Sequence, residues 1–149
     1  MIAIIQRVTK ASVSIPAKKQ SIKTGFLILL GVNSSDTETD VKLLADKTIK
    51  LRIMSDKDKK MNLSLSDVHG EVLVISQFTL LGDVSKGNRP SFIKAAPPKL
   101  AKKLYNQYIE ELRNTGLSVK TGYFGEYMEV SLINDGPTTI ILDSQQFKR

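Results

Sequence analysis

Apolar and polar positions alternate in part from Ile2 to Ile15, in a stretch rich in Ile, Val, Thr and Ser. The pattern predicts one long strand, closed by Pro16 and Ala17. Within residues 21–32 the run Phe26-Leu27-Ile28-Leu29-Leu30 sits between Gly25 and Gly31. It is too short for a helix and predicts a buried strand. Asp36, Glu38 and Asp40 suit the first turn of a helix, where carboxylates meet the positive end of the helix dipole. Val41, Leu44, Ala45, Thr48 and Leu51 then recur at helical spacing, so this helix is expected to run to about Met54. Residues 62–70 read as irregular, with the lone His69 beside Gly70 in a turn.

Residues 72–81 form the most apolar predicted strand. A loop with Gly82, Gly87, Asn88 and Pro90 follows. Pro97 and Pro98 open a second helix, since proline is tolerated in a first turn. This helix turns Ala101, Leu104, Tyr105, Tyr108, Ile109 and Leu112 to one face and stops near Gly116. Residues 117–120, 127–133 and 138–142 complete the set as strands, and 145–149 form a short basic tail expected to fray. The order predicts an α+β (mixed α/β) fold, a single domain over residues 1–144 with helices covering sheet faces. A length of 149 residues fits one domain with one substantial core.

Composition narrows the chemistry. The chain has no Cys and one His, which leaves no thiolate ligand, no Cys nucleophile and no HExxH zinc motif. No metal and no cofactor is expected, and neither GxGxxG nor a P-loop sequence occurs. No stretch approaches the roughly 18–20 apolar residues of a membrane span, and the N-terminus does not read as a secretory signal. A cytoplasmic protein that engages no membrane is the expectation.

The formal charge is +7, and it is unevenly placed. Lys86, Arg89, Lys94, Lys99, Lys102 and Lys103 supply six of those seven charges, with no acidic residue between Ser85 and Lys103. Such a run reads either as a solvated loop and helix face or as a cationic platform for phosphates, and charge alone does not separate the two. Lys57 to Lys60 read as an exposed turn.

Three segments place polar or special-backbone residues against apolar strands. In Ser76-Gln77-Phe78-Thr79, hydroxyls and an amide follow four aliphatics; they either satisfy a strand end or face a site. Lys86-Gly87-Asn88-Arg89-Pro90-Ser91-Phe92 reads as a tight turn. Asn134-Asp135-Gly136-Pro137-Thr138-Thr139 links two apolar stretches, and base rates favour a trans turn there.

Together these segments resemble the D-aminoacyl-tRNA deacylases. The resemblance rests on Ser76-Gln77-Phe78-Thr79-Leu80, Gly87-Asn88-Arg89-Pro90-Ser91-Phe92 with Lys94-Ala95-Ala96-Pro97-Pro98, and Asn134-Asp135-Gly136-Pro137. Ile5-Gln6-Arg7-Val8, Ala11-Ser12-Val13, Lys60-Met61-Asn62-Leu63-Ser64 and Gly122-Phe124-Gly125 add to it, so it spans nearly the whole chain. It implies a strongly curved, barrel-like sheet covered by two main helices, with the active site at a homodimer interface. It implies hydrolysis of the ester between a D-amino acid and the terminal adenosine of tRNA, and removal of glycine from mischarged tRNA.

By the same resemblance, Ser76, Gln77, Phe78 and Thr79 form the catalytic pocket, and Gly136-Pro137 is a cis pair reaching into the partner's site. Its main-chain atoms exclude an L side chain. Asn134 and Arg7 belong to that filter, and Phe124 and Met128 are candidates for the pocket wall. Lys86, Asn88, Arg89 and Lys94 face tRNA, and DNA is not an expected partner. Leu81-Gly82 departs from the family's usual Tyr-Ala.

Thr79 is the obvious hydroxyl nucleophile, but activation needs a neighbouring base and the motif supplies none. The reading is therefore that the terminal ribose 2′-OH assists attack, backbone N–H groups at Phe78 and Thr79 stabilise the oxyanion, and Thr79 positions. The alternatives are a non-catalytic RNA-binding module that uses the 86–103 platform, an oligomeric structural protein, or the same fold with another mischarged tRNA as substrate.

Overall fold

A computed structural model describes Met1 to Lys148; Arg149, at the end of the expected basic tail, lies outside the described residues. The strands are β1 (Ile2–Ile15), β2 (Lys18–Ile22), β3 (Gly25–Gly31), β4 (Met54–Ser55), β5 (Met61–Leu63), β6 (Glu71–Ser76), β7 (Ser118–Thr121) and β8 (Glu129–Asp143). The helices are α1 (Glu38–Ile49) and α2 (Pro98–Arg113). Among the described residues no helix is long and apolar enough to cross a membrane.

The main sheet is mixed. β1 pairs antiparallel with β2 and β3 through its two halves and with β8 along its length, while β3, β6 and β7 run parallel to one another. The sheet curls until Lys120 Nζ on β7 donates to the Ser21 carbonyl on β2 at 2.6 Å, which nearly closes a barrel. The main core lies between the sheet and the two helices, with Phe26, Ile28, Leu44, Val74, Leu104, Tyr108 and Leu112 in one cluster. A second cluster fills the barrel with Val8, Val13, Leu27, Leu73 and Ile75.

The apolar face expected of the second helix is the face observed: Ala101, Leu104, Tyr105, Tyr108, Ile109 and Leu112 are all buried. Tyr108 and Thr48 join the two helices by a 2.8 Å hydrogen bond in the core. Thr37 and Asp40 start α1 as a capping box.

Several expected boundaries are corrected. The first helix stops at Ile49, because Ile53 and Met54 are drawn into an extended segment and Met54 pairs with Leu63. β2 has no counterpart among the expected strands, because its Lys-Lys-Gln-Ser stretch is exposed and carries little apolar signal. Residues 127–133 and 138–142 are not two strands joined by a turn. Both halves pair with β1, whose register shifts between Gln6 and Val8 and between Val8 and Lys10 take up the irregularity, so β8 is one strand.

The tail is ordered through Lys148. Ser144–Phe147 form a 3₁₀ turn, Phe147 packs on the main core and Lys148 Nζ lies 2.9 Å from the Asp40 carboxylate. Asp40 is fully buried and also accepts from Ser144 Oγ at 2.7 Å. Burial pushes its pKa up, but Lys148, Ser144 and Thr37 more than offset that and hold it well below the usual carboxylate range.

Candidate active site

β6 ends earlier than its apolar run predicts. Its last pair with β3 is Ser76 with Leu30; Gln77 then leaves the extended region, and Phe78–Leu81 close into a 3₁₀ turn. The expected strand over residues 72–81 is corrected accordingly. The reason is local packing: the buried Leu81 folds back over Gly31, where an added Cβ would meet its Cδ2 at 2.7 Å. The turn thus displays polar groups at the carboxyl end of three parallel strands, a usual place for ligand sites in parallel sheets.

The N–H groups of Phe78 and Thr79 open this turn and have no carbonyl within it to bond. The residue before it, Gln77, makes no side-chain cap hydrogen bond to it. The Gln77 amide donates to Thr79 Oγ1, which fixes that hydroxyl against its neighbour. Phe78 is 56% exposed, with Phe92 standing edge-on to it at 5.0 Å between ring centroids. An exposed, braced phenyl ring beside two open N–H groups is not a core residue.

Phe92 arrives on the loop that carries the basic motif. Lys86, Asn88, Arg89 and Lys94 are exposed there, and Asp83 and Ser91 bridge the loop's base. The structure therefore brings the Ser76–Thr79 turn and the cationic loop together. The segment after β7 flanks the same end: Gly122 N–H donates to the Val74 carbonyl at 2.9 Å, and Met128 packs with the Ile75 cluster. Phe124 leans on Tyr105 at 5.7 Å between centroids and belongs mainly to the helix-side core.

Gly136-Pro137 lies elsewhere, and its peptide bond is cis. Arg7, only 7% exposed, donates from Nε to the Asp135 carbonyl at 2.9 Å and from Nη1 to the Ile53 carbonyl at 2.6 Å. Asn134 Oδ1 accepts from Thr138 N–H at 2.6 Å, and Asn134 Nδ2 donates to the Thr138 carbonyl at 3.2 Å. Gly136 has φ +142°, and a Cβ there would meet Thr138 Oγ1 at 2.3 Å.

In register, Arg7 faces Phe26 at the start of β3, whereas Ser76 faces Leu30 near its end. Three strand spacings (roughly 14 Å) and four residues along the strand (roughly 13 Å) separate the two features in one chain on a flattened sheet. Within one protomer the fold does not bring them together. Among the described residues no cluster of His, Cys, Asp and Glu is placed to hold a metal ion.

Residues 4–143 match the family model described as D-Tyr-tRNA(Tyr) deacylase. The chain belongs to this family. It is 52% identical over 147 residues to a D-aminoacyl-tRNA deacylase of Thermosipho africanus, covering 98% of this chain and 99% of that one. It is 53% identical over 146 residues to one of Thermodesulfovibrio yellowstonii, covering 97% and 100%. A solved structure described as c-Myc DNA Unwinding Element Binding Protein is 40% identical with a TM-score of 0.89, covering 96% of this chain and 98% of that one. The structure of a probable eukaryotic D-amino acid tRNA deacylase shares the fold at a TM-score of 0.83 and 16% identity, covering 95% and 98%.

In this deacylase-family member the sequence alone did not single out Asp83, whose carboxylate lies 3.4 Å from Lys94 Nζ. Its signal was isolation, as the only acid between Glu71 and Glu110. Ser55, 3.3 Å from Arg7 Nη1, was also missed, and nothing local marks it.

Proposed function

We propose that the chain hydrolyses the ester joining a D-amino acid to the terminal adenosine of tRNA, acting as a homodimer in the cytoplasm. The observation that carries this reading is the exposed turn at Ser76–Thr79, with two open N–H groups beside a loop of cations. A carbonyl oxygen seated at those N–H groups gains stabilisation as negative charge develops on it. Thr79, bonded to Gln77 and without a base in its motif, positions the ester. The attack is assisted by the ribose 2′-OH of the substrate itself.

Selection by chirality falls to the main chain of Gly136-Pro137 supplied by the partner, backed by Arg7 and Asn134. A filter that excludes an L side chain has nothing to reject in glycine, so glycyl-tRNA is a second substrate. Two features support a dimer. The Gly136-Pro137 segment is remote from the turn of its own chain, and β8, which among the described residues pairs only with β1, exposes Val130, Ile133 and Ile141. An outer strand with such side chains calls for cover.

Incubating the purified protein with D-tyrosyl-, L-tyrosyl- and glycyl-tRNA tests the reading directly. Rapid loss of the D-tyrosyl and glycyl esters with a stable L-ester is expected, together with a sedimentation mass of two chains. Cleavage of the L-ester at a rate near that of the D-ester would overturn the filter, and a monomer at working concentration would overturn the shared site.

A further inference from the structure

Asp83 stands alone among the cations, and its backbone and side chain do separate jobs. Its N–H donates to the Ser91 carbonyl at 2.8 Å and its carbonyl accepts from Ser91 N–H at 2.9 Å, closing residues 84–90 into a loop. One carboxylate oxygen accepts from Ser85 N–H at 2.9 Å, and the other lies 3.4 Å from Lys94 Nζ. Ser85 and Lys94 lower its pKa to about 2, so it is ionised at neutral pH.

Both ends of this loop are tied to the catalytic turn. Gly82 N–H donates to the Thr79 carbonyl at 3.0 Å, and Phe92 braces Phe78. A Cβ on Gly82 would come within 3.0 Å of both the Phe92 ring and the Thr79 carbonyl oxygen, so the approach is tight. On the far side, Ser34 N–H donates to the Lys94 carbonyl at 2.9 Å. Lys94 therefore has its backbone held by the β3–α1 connection and its ammonium held by Asp83.

We propose that Asp83 is a positioning residue for the tRNA-facing loop: its carboxylate orients Lys94 and, by accepting from Ser85 N–H, fixes the start of the loop that its backbone closes, so that Lys86, Asn88 and Arg89 keep a constant place relative to Ser76–Thr79. The proposal rests on the reading of those cations as tRNA contacts. An acid on a phosphate-binding surface weakens the bare attraction for a polyanion. It aids binding only when the order it imposes outweighs the charge it cancels. The two roles therefore have opposite signs, and that makes them separable.

The test measures KM and kcat on D-tyrosyl-tRNA, and Kd for uncharged tRNA, for the wild type, D83A, D83N, K94A and the D83N/K94A double variant. D83A is expected to raise KM about five- to tenfold, with kcat within about twofold. D83N falls between, because an amide oxygen still accepts from Ser85 N–H while the ion pair is lost. In the K94A background, D83N is expected to change KM by less than about twofold, since the partner it orients is gone.

Tighter or unchanged tRNA binding by D83A and D83N would overturn the proposal in favour of a bare charge effect. So would a D83N effect that multiplies with that of K94A. If K94A itself leaves KM and Kd unchanged, the reading of the loop as a tRNA contact fails, and the proposal with it. If K94A weakens binding and the Asp83 variants do not, the Asp83 proposal alone fails. Should D83A not fold, D83N, which keeps the turn, carries the same comparison.

Discussion

Arg7 Nε donates to the carbonyl of Asp135 at 2.9 Å, across 128 positions of sequence, while the Asp135 carboxylate lies 3.4 Å away. One buried guanidinium thereby ties the β8 irregularity to β1 and, through the Ile53 carbonyl, to the segment after α1. R7A leaves two carbonyls without donors and is expected to cost about 2–4 kcal/mol of stability. R7K keeps a charge but not the planar fork. It is expected to remain folded and to lose D-over-L discrimination; urea denaturation and paired D- and L-tyrosyl-tRNA assays check the two effects.

Gly136 has no room for a side chain. At φ +142° an L residue is strained, and a Cβ would lie 2.3 Å from Thr138 Oγ1 and 2.9 Å from Thr138 N. G136A is expected to lower stability by about 1–3 kcal/mol and to reduce deacylation. In G136A/T138A the hydroxyl clash is gone and the backbone clash remains, so part of the stability returns. Thermal melts of the three proteins are the measurement.

Asp40 makes stability depend on acid. Its carboxyl titrates below the usual range in the folded state, so it stabilises fully above the unfolded value near ~3.9, and this contribution is lost as pH falls below that value. D40N is expected to be about 1–3 kcal/mol less stable at pH 7 and to show a flatter decline between about pH 4 and 2, below the unfolded value, as the lowered folded value requires. Urea midpoints across that range decide it; equal slopes for both proteins would count against Asp40.

The proposed chemistry assigns Thr79 and the substrate different shares of the rate. T79A is expected to retain activity within about a hundredfold, whereas loss of a true hydroxyl nucleophile costs around a millionfold. A substrate ending in 2′-deoxyadenosine is expected to react about 10²–10⁴ times more slowly. Single-turnover kinetics on the two substrates measure both numbers, and full-rate cleavage of the deoxy ester would remove the 2′-OH from the mechanism.

The cationic loop is expected to set affinity more than turnover. Removing Lys86 or Arg89 should lower the slope of log Kd against log salt by about 0.7–0.9 for each phosphate no longer neutralised, with single-turnover rates at saturation little changed. A DNA duplex of matched length, titrated in parallel, is expected to bind more weakly and without discrimination among sequences. Equal salt slopes for wild type and variants would mean that these side chains stay in solvent, and duplex DNA bound as tightly as tRNA would set aside the expectation that DNA is no partner.

Local periodicity was enough to read β1 from Ile2 to Ile15 and the buried face of α2, because each depends on neighbours within a few residues. The same periodicity ran the most apolar strand on to Leu81, where packing of Leu81 over Gly31 ends it at Ser76. It also split β8 in two, since nothing within residues 129–143 reveals that both halves pair with one distant strand. The tail, expected to fray, is held by Asp40, a buried carboxylate more than one hundred residues away in the chain.

The candidate residues stood out in the sequence by type and order, as hydroxyls and an amide at a strand end, cations without acids after them, and Gly-Pro between apolar runs, while their assignment to a site rested on the family resemblance. Side-chain chemistry is carried in the sequence, so the candidates could be picked out there. Tertiary structure alone decided which of these groups meet. It set Phe92 against Phe78 and Lys94 against Asp83, and it placed Gly136-Pro137 at the other end of the sheet, beside Arg7. Such distances follow from strand pairing and register, which are made by residues far apart in the chain, and no local pattern encodes them.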